Sequence, residues 1–242
     1  MRLDRFLTRH RNDSCKEVAR QLADGRVMID GAVEFCGIRR INRFTKVELD
    51  GKILQEKQAV YLMLHKPAGY LSATMDSQHP TVMELIDHPL RDELHLAGRL
   101  DRASTGLVLL TNDGRWSKLI TEPQEEISKV YQVTTRDRIS PETVRRFAEG
   151  IYFAYEDLTT RPALLEIVAE REASITLHEG RYHQVKRMFH AVGNQVLSLH
   201  RESIGPLLLN DTLPPGKFRS LSAEEISFFY HEDSNRTVRA LN

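Results

Sequence analysis

The chain has 242 residues, with 34 basic and 34 acidic side chains, enough length for a substantial core in one large domain or in a large and a small one. Its two cysteines, Cys15 and Cys36, have no histidine at metal-ligand spacing, which argues against a disulfide framework and a zinc site and fits a reducing compartment. No apolar run reaches membrane-spanning length, and the basic start lacks the apolar stretch of a secretory signal, so a soluble cytoplasmic protein is expected. The zero net charge hides an asymmetry. Residues 1–58 hold 13 Lys/Arg against 9 Asp/Glu, and the remainder reverses the excess. A basic front end on a slightly acidic body hints at a polyanionic partner.

Leu3, Phe6 and Leu7, at i, i+3 and i+4, predict a first short helix. Ser14 and Glu17 form a capping box that opens a second helix, with Val18 and Leu22 facing inward and Gly25 as its stop. Residues 26–29 and 32–35 flank Asp30-Gly31 as a hairpin, and Asp50-Gly51 separates two further strands at 47–49 and 52–54. Arg2, Arg5, Arg9, Lys16, Arg20 and Arg26 are strung along these helices and the following turn; a solvated basic face accounts for them equally well. RLDRFL followed by SCKEVARQLADGRVMIDGAV resembles the S4 RNA-binding domain. That resemblance implies phosphate contacts from Arg2, Arg5, Lys16, Arg20 and Arg26, which position an RNA without reading its sequence. The polar, aperiodic residues 55–58 predict a linker, giving domains 1–57 and 58–242.

In the body, residues 60–64 predict a strand that ends at Lys66-Pro67-Ala68-Gly69, and residues 80–86 a short helix with Pro80 just inside its start. Residues 107–111 predict a buried strand. It passes through Asn112-Asp113-Gly114 into an amphipathic helix containing Trp116, Leu119 and Ile120. Residues 129–134 are β-rich, with Lys129, Tyr131 and Val133 on one face. Ser140-Pro141-Glu142 opens a helix carrying Val144, Phe147 and Ala148, which Gly150 closes. Residues 164–169 and 173–177 predict adjacent antiparallel strands. A capping box at Ser222 and Glu225 precedes a closing helix with Ile226, Phe229 and Tyr230, and the polar end from Glu232 is expected to fray. The whole predicts an α+β fold whose larger domain is a mixed, mainly antiparallel sheet flanked by helices.

Two stretches carry polar side chains of particular interest. HLAGRLDRASTGLVLLTNDG, residues 95–114, places Asp101 beside Arg99 and Arg102, on a loop bracketed by Gly98 and Gly106 and tied to the buried strand. It reads equally as an Arg/Asp surface loop or as a presented carboxylate. In EGRYHQVKRMFHAVGN, residues 179–194, the helical angles of Val185, Met188, Phe189 and Val192 make an inward stripe. His183, Arg187 and His190 fall opposite. Lys186 sits at the border, from which its stem can follow the core edge into a cleft.

KPAGYLSAT, GRLDRASTGLVLLTNDG, SKVYQV, EGRYHQVKRM, AVGN and LHRESIGPLLL, in this order, resemble the pseudouridine synthases, in the branch that joins an S4 domain to the catalytic domain. DGRWSKLIT, GRYHQVKRMFHAVGN and LHRESIG are most like members that modify one uridine of 16S rRNA. The resemblance implies that uridine, numbered 516, as substrate, and a monomer working on 16S rRNA or on an assembling small-subunit particle, away from membranes. The reaction breaks the C1′–N1 bond, turns the base and makes a C1′–C5 bond, with no change in composition. One carboxylate suffices for it, so no cofactor or metal is expected. By resemblance Asp101 is that carboxylate, acting either by attack at C1′ or by removal of a sugar proton. Tyr131 matches the tyrosine that stacks on uracil and handles the C5 proton, Lys186 the cation paired with the aspartate, and Arg99 an RNA contact where the base is extruded. Two rivals within RNA biology are the same chemistry on 23S rRNA and a non-catalytic S4-type RNA-binding protein. A glycosidase usually needs two carboxylates across one bond, where the charged loop offers one.

Overall fold

Helix α1 (Leu3–Arg11) turns Leu3, Phe6 and Leu7 inward, as their spacing requires. Helix α2 (Cys15–Ala23) starts at the expected capping box: Ser14 Oγ accepts from the Glu17 N–H, and the Glu17 carboxylate accepts from the Ser14 N–H at 2.9 Å. The strands that follow are β1 (Val27–Ile29), β2 (Ala32–Val33), β3 (Val47–Leu49) and β4 (Lys52–Gln55), in an antiparallel sheet ordered β2-β1-β3-β4. Asp30 and Gly31 both adopt positive φ, 50° and 84°, the requirement of a two-residue hairpin turn that matches strand twist. Leu3, Leu7, Val18, Leu22, Val27, Ile29, Val47 and Leu49 close a core of their own. Strand β2 is shorter than the sequence suggests. Strand β4 is longer, with Gln55 still paired to Val47 where a linker was expected to begin.

The computed structural model describes residues 1–122, 126–210 and 212–230, in two units, Met1–Ala59 and Val60–Asn242. The expected fraying from Glu232 lies outside the described residues. In the second unit the chain runs β5 (Tyr61–Lys66), a 3-10 turn (Val82–Leu85), β6 (His95–Leu96), β7 (Thr105–Thr111), α3 (Gly114–Thr121), β8 (Lys129–Thr135) and α4 (Pro141–Glu149). It continues through a small hairpin, β9 (Tyr152–Phe153) and β10 (Leu158–Thr159), to β11 (Leu164–Ala169), β12 (Glu172–Leu177), α5 (Gln184–Ala191), β13 (Val196–Ile204), β14 (Leu207–Leu208) and β15 (Phe218–Ser220). Residues 223–230 are helical. The main sheet is ordered β11-β12-β8-β13-β7-β5-β15, with β6 on β7 and β14 on β13. Every pairing among these described strands is antiparallel except β7 with β13. The mixed, mainly antiparallel α+β architecture is thus observed.

The continuous apolar run of β7 makes sense because both faces of the strand are covered. Val108 and Leu110 join Leu62, Leu64, Val133, Phe147 and Phe189 on one face, while Leu107 and Leu109 join Met63, Trp116, Ile120 and Phe229 on the other. Gly106 is where β7 meets β13. Its φ is 111°, and a Cβ there would lie 2.3 Å from the Arg201 carbonyl oxygen, so only glycine permits this pairing. Asp113 caps α3 and also accepts from Tyr61 and Tyr230, while the Trp116 indole donates to the Ile226 carbonyl at 3.1 Å. The expected helix at 80–86 is a 3-10 turn capped by Thr81 and Glu84, which leaves Pro80 outside its start. No helix among the described residues is long and apolar enough to cross a membrane.

Candidate active site

The loop between β6 and β7 carries Asp101, and the protein pins that loop from three sides. Lys66, at the end of β5, is fully buried, and its ammonium donates to the carbonyls of Pro67, Arg102 and Ser104 at 3.1, 3.2 and 2.7 Å. Ser72 exchanges hydrogen bonds with the Leu100 backbone, donating at 2.8 Å and accepting at 3.0 Å. From β13, Arg201 donates Nε to the Leu107 carbonyl at 2.8 Å and Nη1 to the Arg99 carbonyl at 3.3 Å. The backbone on either side of Asp101 is thereby tied down, at Arg99, Leu100, Arg102 and Ser104. Backbone bonds of this kind cost little to maintain and fix geometry tightly, because each satisfies a buried polar group.

Facing the loop is the first turn of α5. Lys186 Nζ donates to Asp101 Oδ2 at 2.6 Å, with the lysine side chain 34% exposed and the aspartate 24%, which matches the border position of Lys186 on the helix. His183 Nε2 lies 3.1 Å from the other oxygen, Oδ1. The helical angles had put His183 on the wet side with Arg187 and His190. The structure differs because His183 is the N-cap residue, in a left-handed conformation with φ 50°, so its side chain does not follow the helix period. Arg187 does lie on the outer side, paired with Glu156 and 3.7 Å over the Phe153 ring.

Tyr131 comes from β8, directly opposite Arg201 in the register with β13, and its ring is buried to 7% exposure. The Arg201 guanidinium carbon stands 5.9 Å from the ring centre. A cleft of about 740 Å³ joins Asp101, Arg99, Lys129, Tyr131, His183 and Arg201, with Arg99 exposed. Lys129 donates to the Ile127 carbonyl at 2.9 Å. Burial, with a smaller push from Arg201, lowers its amine to about 8. Burial likewise lowers Lys66 to about 8, opposed by the charge of Asp101 and aided by that of Arg201. Arg201 and His183 were not singled out from sequence. An arginine inside a strand reads as solvent-facing until the partner strand is known, and a histidine before a helix reads as part of it.

The residues expected to contact RNA backbone, Arg2, Arg5, Lys16, Arg20 and Arg26, are all exposed on the first unit. Three of them already have carboxylate partners: Arg2 with Asp4, Arg20 with Asp24 and Arg26 with Asp50. Among the described residues no group of three or more His, Cys, Asp or Glu side chains is placed to hold a metal.

An ion-paired carboxylate on a loop tied down through its backbone and a tyrosine on the adjoining sheet thus line one open cleft, an arrangement able to act on a single bound group. Residues 60–191 match the family described as RNA pseudouridylate synthase. The chain is 51% identical over 227 residues to the ribosomal small subunit pseudouridine synthase A of Pseudomonas aeruginosa, covering 93% of this chain and 99% of that protein. It is 42% identical over 228 residues to the protein of the same name from Escherichia coli, covering 94% and 99%. A solved structure described as a pseudouridylate synthase superposes with a TM-score of 0.69 at 37% identity, over 95% of this chain and 99% of that one. The chain belongs to the RNA pseudouridylate synthase family.

Proposed function

We propose that the protein converts one uridine of 16S rRNA, uridine 516, to pseudouridine, with Asp101 as the nucleophile. The observation that carries the reading is the pairing of Asp101 with Lys186, beside a cleft that Asp101 lines together with Tyr131. The small-subunit substrate is supported by the relatives, whose names specify the ribosomal small subunit. A base inside a folded RNA cannot reach such a cleft, so the uridine is extruded into it, with Arg99 contacting the RNA at the gap. As nucleophile, Asp101 bonds to C1′ as the C1′–N1 bond breaks and the uracil leaves with the electron pair; the uracil turns against Tyr131, and C5 then displaces Asp101 from C1′, which frees the carboxylate. The C5 proton then leaves with help from Tyr131 and N1 gains one, so atoms balance without an external reactant. Lys186 neutralises Asp101 electrostatically while the carboxylate waits in a partly dry site.

The first unit, read as an S4-type domain, supplies phosphate contacts through Arg2, Arg5, Lys16, Arg20 and Arg26 and delivers the rRNA without reading its sequence. Asp101→Asn is expected to abolish pseudouridine formation while leaving rRNA affinity within a few-fold; a variant that still forms product overturns the catalytic assignment. Mapping pseudouridines in rRNA from cells lacking the gene tests the target. Loss at uridine 516 of 16S rRNA supports it, and loss confined to 23S rRNA overturns it.

A further inference from the structure

We infer that His183 is a positioning residue for the reaction, acting through Asp101; the inference rests on the catalytic reading above. A carboxylate held by one lysine is fixed at one oxygen and remains free to turn about its Cβ–Cγ bond. Here the second oxygen is also engaged: Lys186 Nζ meets Oδ2 at 2.6 Å and His183 Nε2 approaches Oδ1 at 3.1 Å. The polar edge of the imidazole lies against Oδ1 at ion-pair distance, and close contacts to different oxygens set the plane of the group as well as its place. Both partners come from one turn of one helix, the N-cap and the third helical residue of α5, so they move as a unit.

The backbone at residue 183 has no other use for a histidine. The left-handed conformation, φ 50° and ψ 30°, suits glycine or asparagine, and the side chain makes no capping hydrogen bond to the helix. Instead the imidazole stacks on the Tyr182 ring, 3.8 Å between centres and 20° between planes, which fixes its orientation toward Asp101. The side chain is 36% exposed, so it can be replaced without opening a core cavity.

His183→Gly separates positioning from folding, because glycine accommodates the left-handed backbone while removing the imidazole. With a 16S rRNA fragment containing the target uridine, kcat is expected to fall about ten- to a hundredfold, as for a misplaced catalytic group, while KM stays within about twofold. His183→Gln places an amide N–H near the reach of Nε2 and is expected to restore kcat to within about threefold of the parent. The inference is overturned by His183→Gly retaining kcat within twofold, by a loss confined to KM, or by His183→Gln being as slow as His183→Gly. Asp101→Asn assayed alongside distinguishes the two levels. If Asp101→Asn is active, the catalytic reading itself fails; if it is inactive and His183→Gly is unimpaired, only the role of His183 fails.

Discussion

Lys66 lies outside the proposed catalytic trio and yet sets the loop on which the trio depends. Its buried ammonium satisfies three carbonyls, two of them from Arg102 and Ser104 in the loop of Asp101. Burial lowers its pKa to about 8 from an ordinary 10.5. Below pH 8 folded and unfolded chains are both protonated there, and the folded state bears the whole cost of the buried charge. Between about 8 and 10.5 the unfolded chain holds the proton that the folded chain has released, so the contribution of Lys66 to stability rises with pH across the window. Lys66→Met removes that step. Chemical denaturation of parent and variant at several pH values should show the difference shifting toward the parent from pH 8 to 10.5, and a flat difference contradicts the account. From sequence Lys66 was only the end of a strand, because its burial depends on a loop nearly forty positions away. Asp101, Tyr131 and Lys186 were picked out by the ordered motifs and the resemblance they carry, since their local setting alone left a surface charge or a packing aromatic open. Arg201 was not, since its partners Arg99 and Leu107 lie on the distant β6–β7 loop and on β7.

Elements with strong local rules were read correctly: the capping box of α2, the Asp-Gly hairpins, the inward stripe of α5 and the shared face of Lys129, Tyr131 and Val133. The exceptions were elements whose form depends on neighbours, such as the 3-10 turn at Val82–Leu85. The parallel pairing of β7 with β13 is of that second kind, and it brings the loop of Asp101 beside the strand bearing Arg201. Gly106→Ala puts a methyl group against the Arg201 backbone at a positive φ. A loss of about 3 kcal/mol or more is expected, with activity lost in step, because strain and overpacking add at one point. Thermal unfolding and product formation measure the two effects; a variant as stable as the parent contradicts the close-approach argument.

On the scale of the whole molecule, the basic excess of residues 1–58 now has a surface to occupy, since the five residues proposed to meet phosphate are all exposed. Arg5→Ala, Lys16→Ala and Arg20→Ala combined should flatten the dependence of log affinity on log salt by about two to three, one counterion equivalent for each lost contact. An unchanged slope in a titration against 16S rRNA places the phosphate contacts elsewhere. The two-unit division also meant that the periodic signals of the first unit stood alone in the sequence, as they needed no partner beyond residue 59.

Trp116 is the only tryptophan in the chain, and it is fully buried among Met63, Leu109 and Phe229 on one face of the large sheet. Its emission is therefore a native optical reporter of the second unit, needing no label. Circular dichroism registers helices in both units. Ser14→Ala, which removes the α2 cap at about 1 kcal/mol, is expected to move the dichroic transition of the first unit and leave the fluorescence midpoint in place, whereas Gly106→Ala moves the fluorescence midpoint. A single indole thus lets the stability of the proposed rRNA-docking module be followed separately from that of the catalytic sheet in the intact chain.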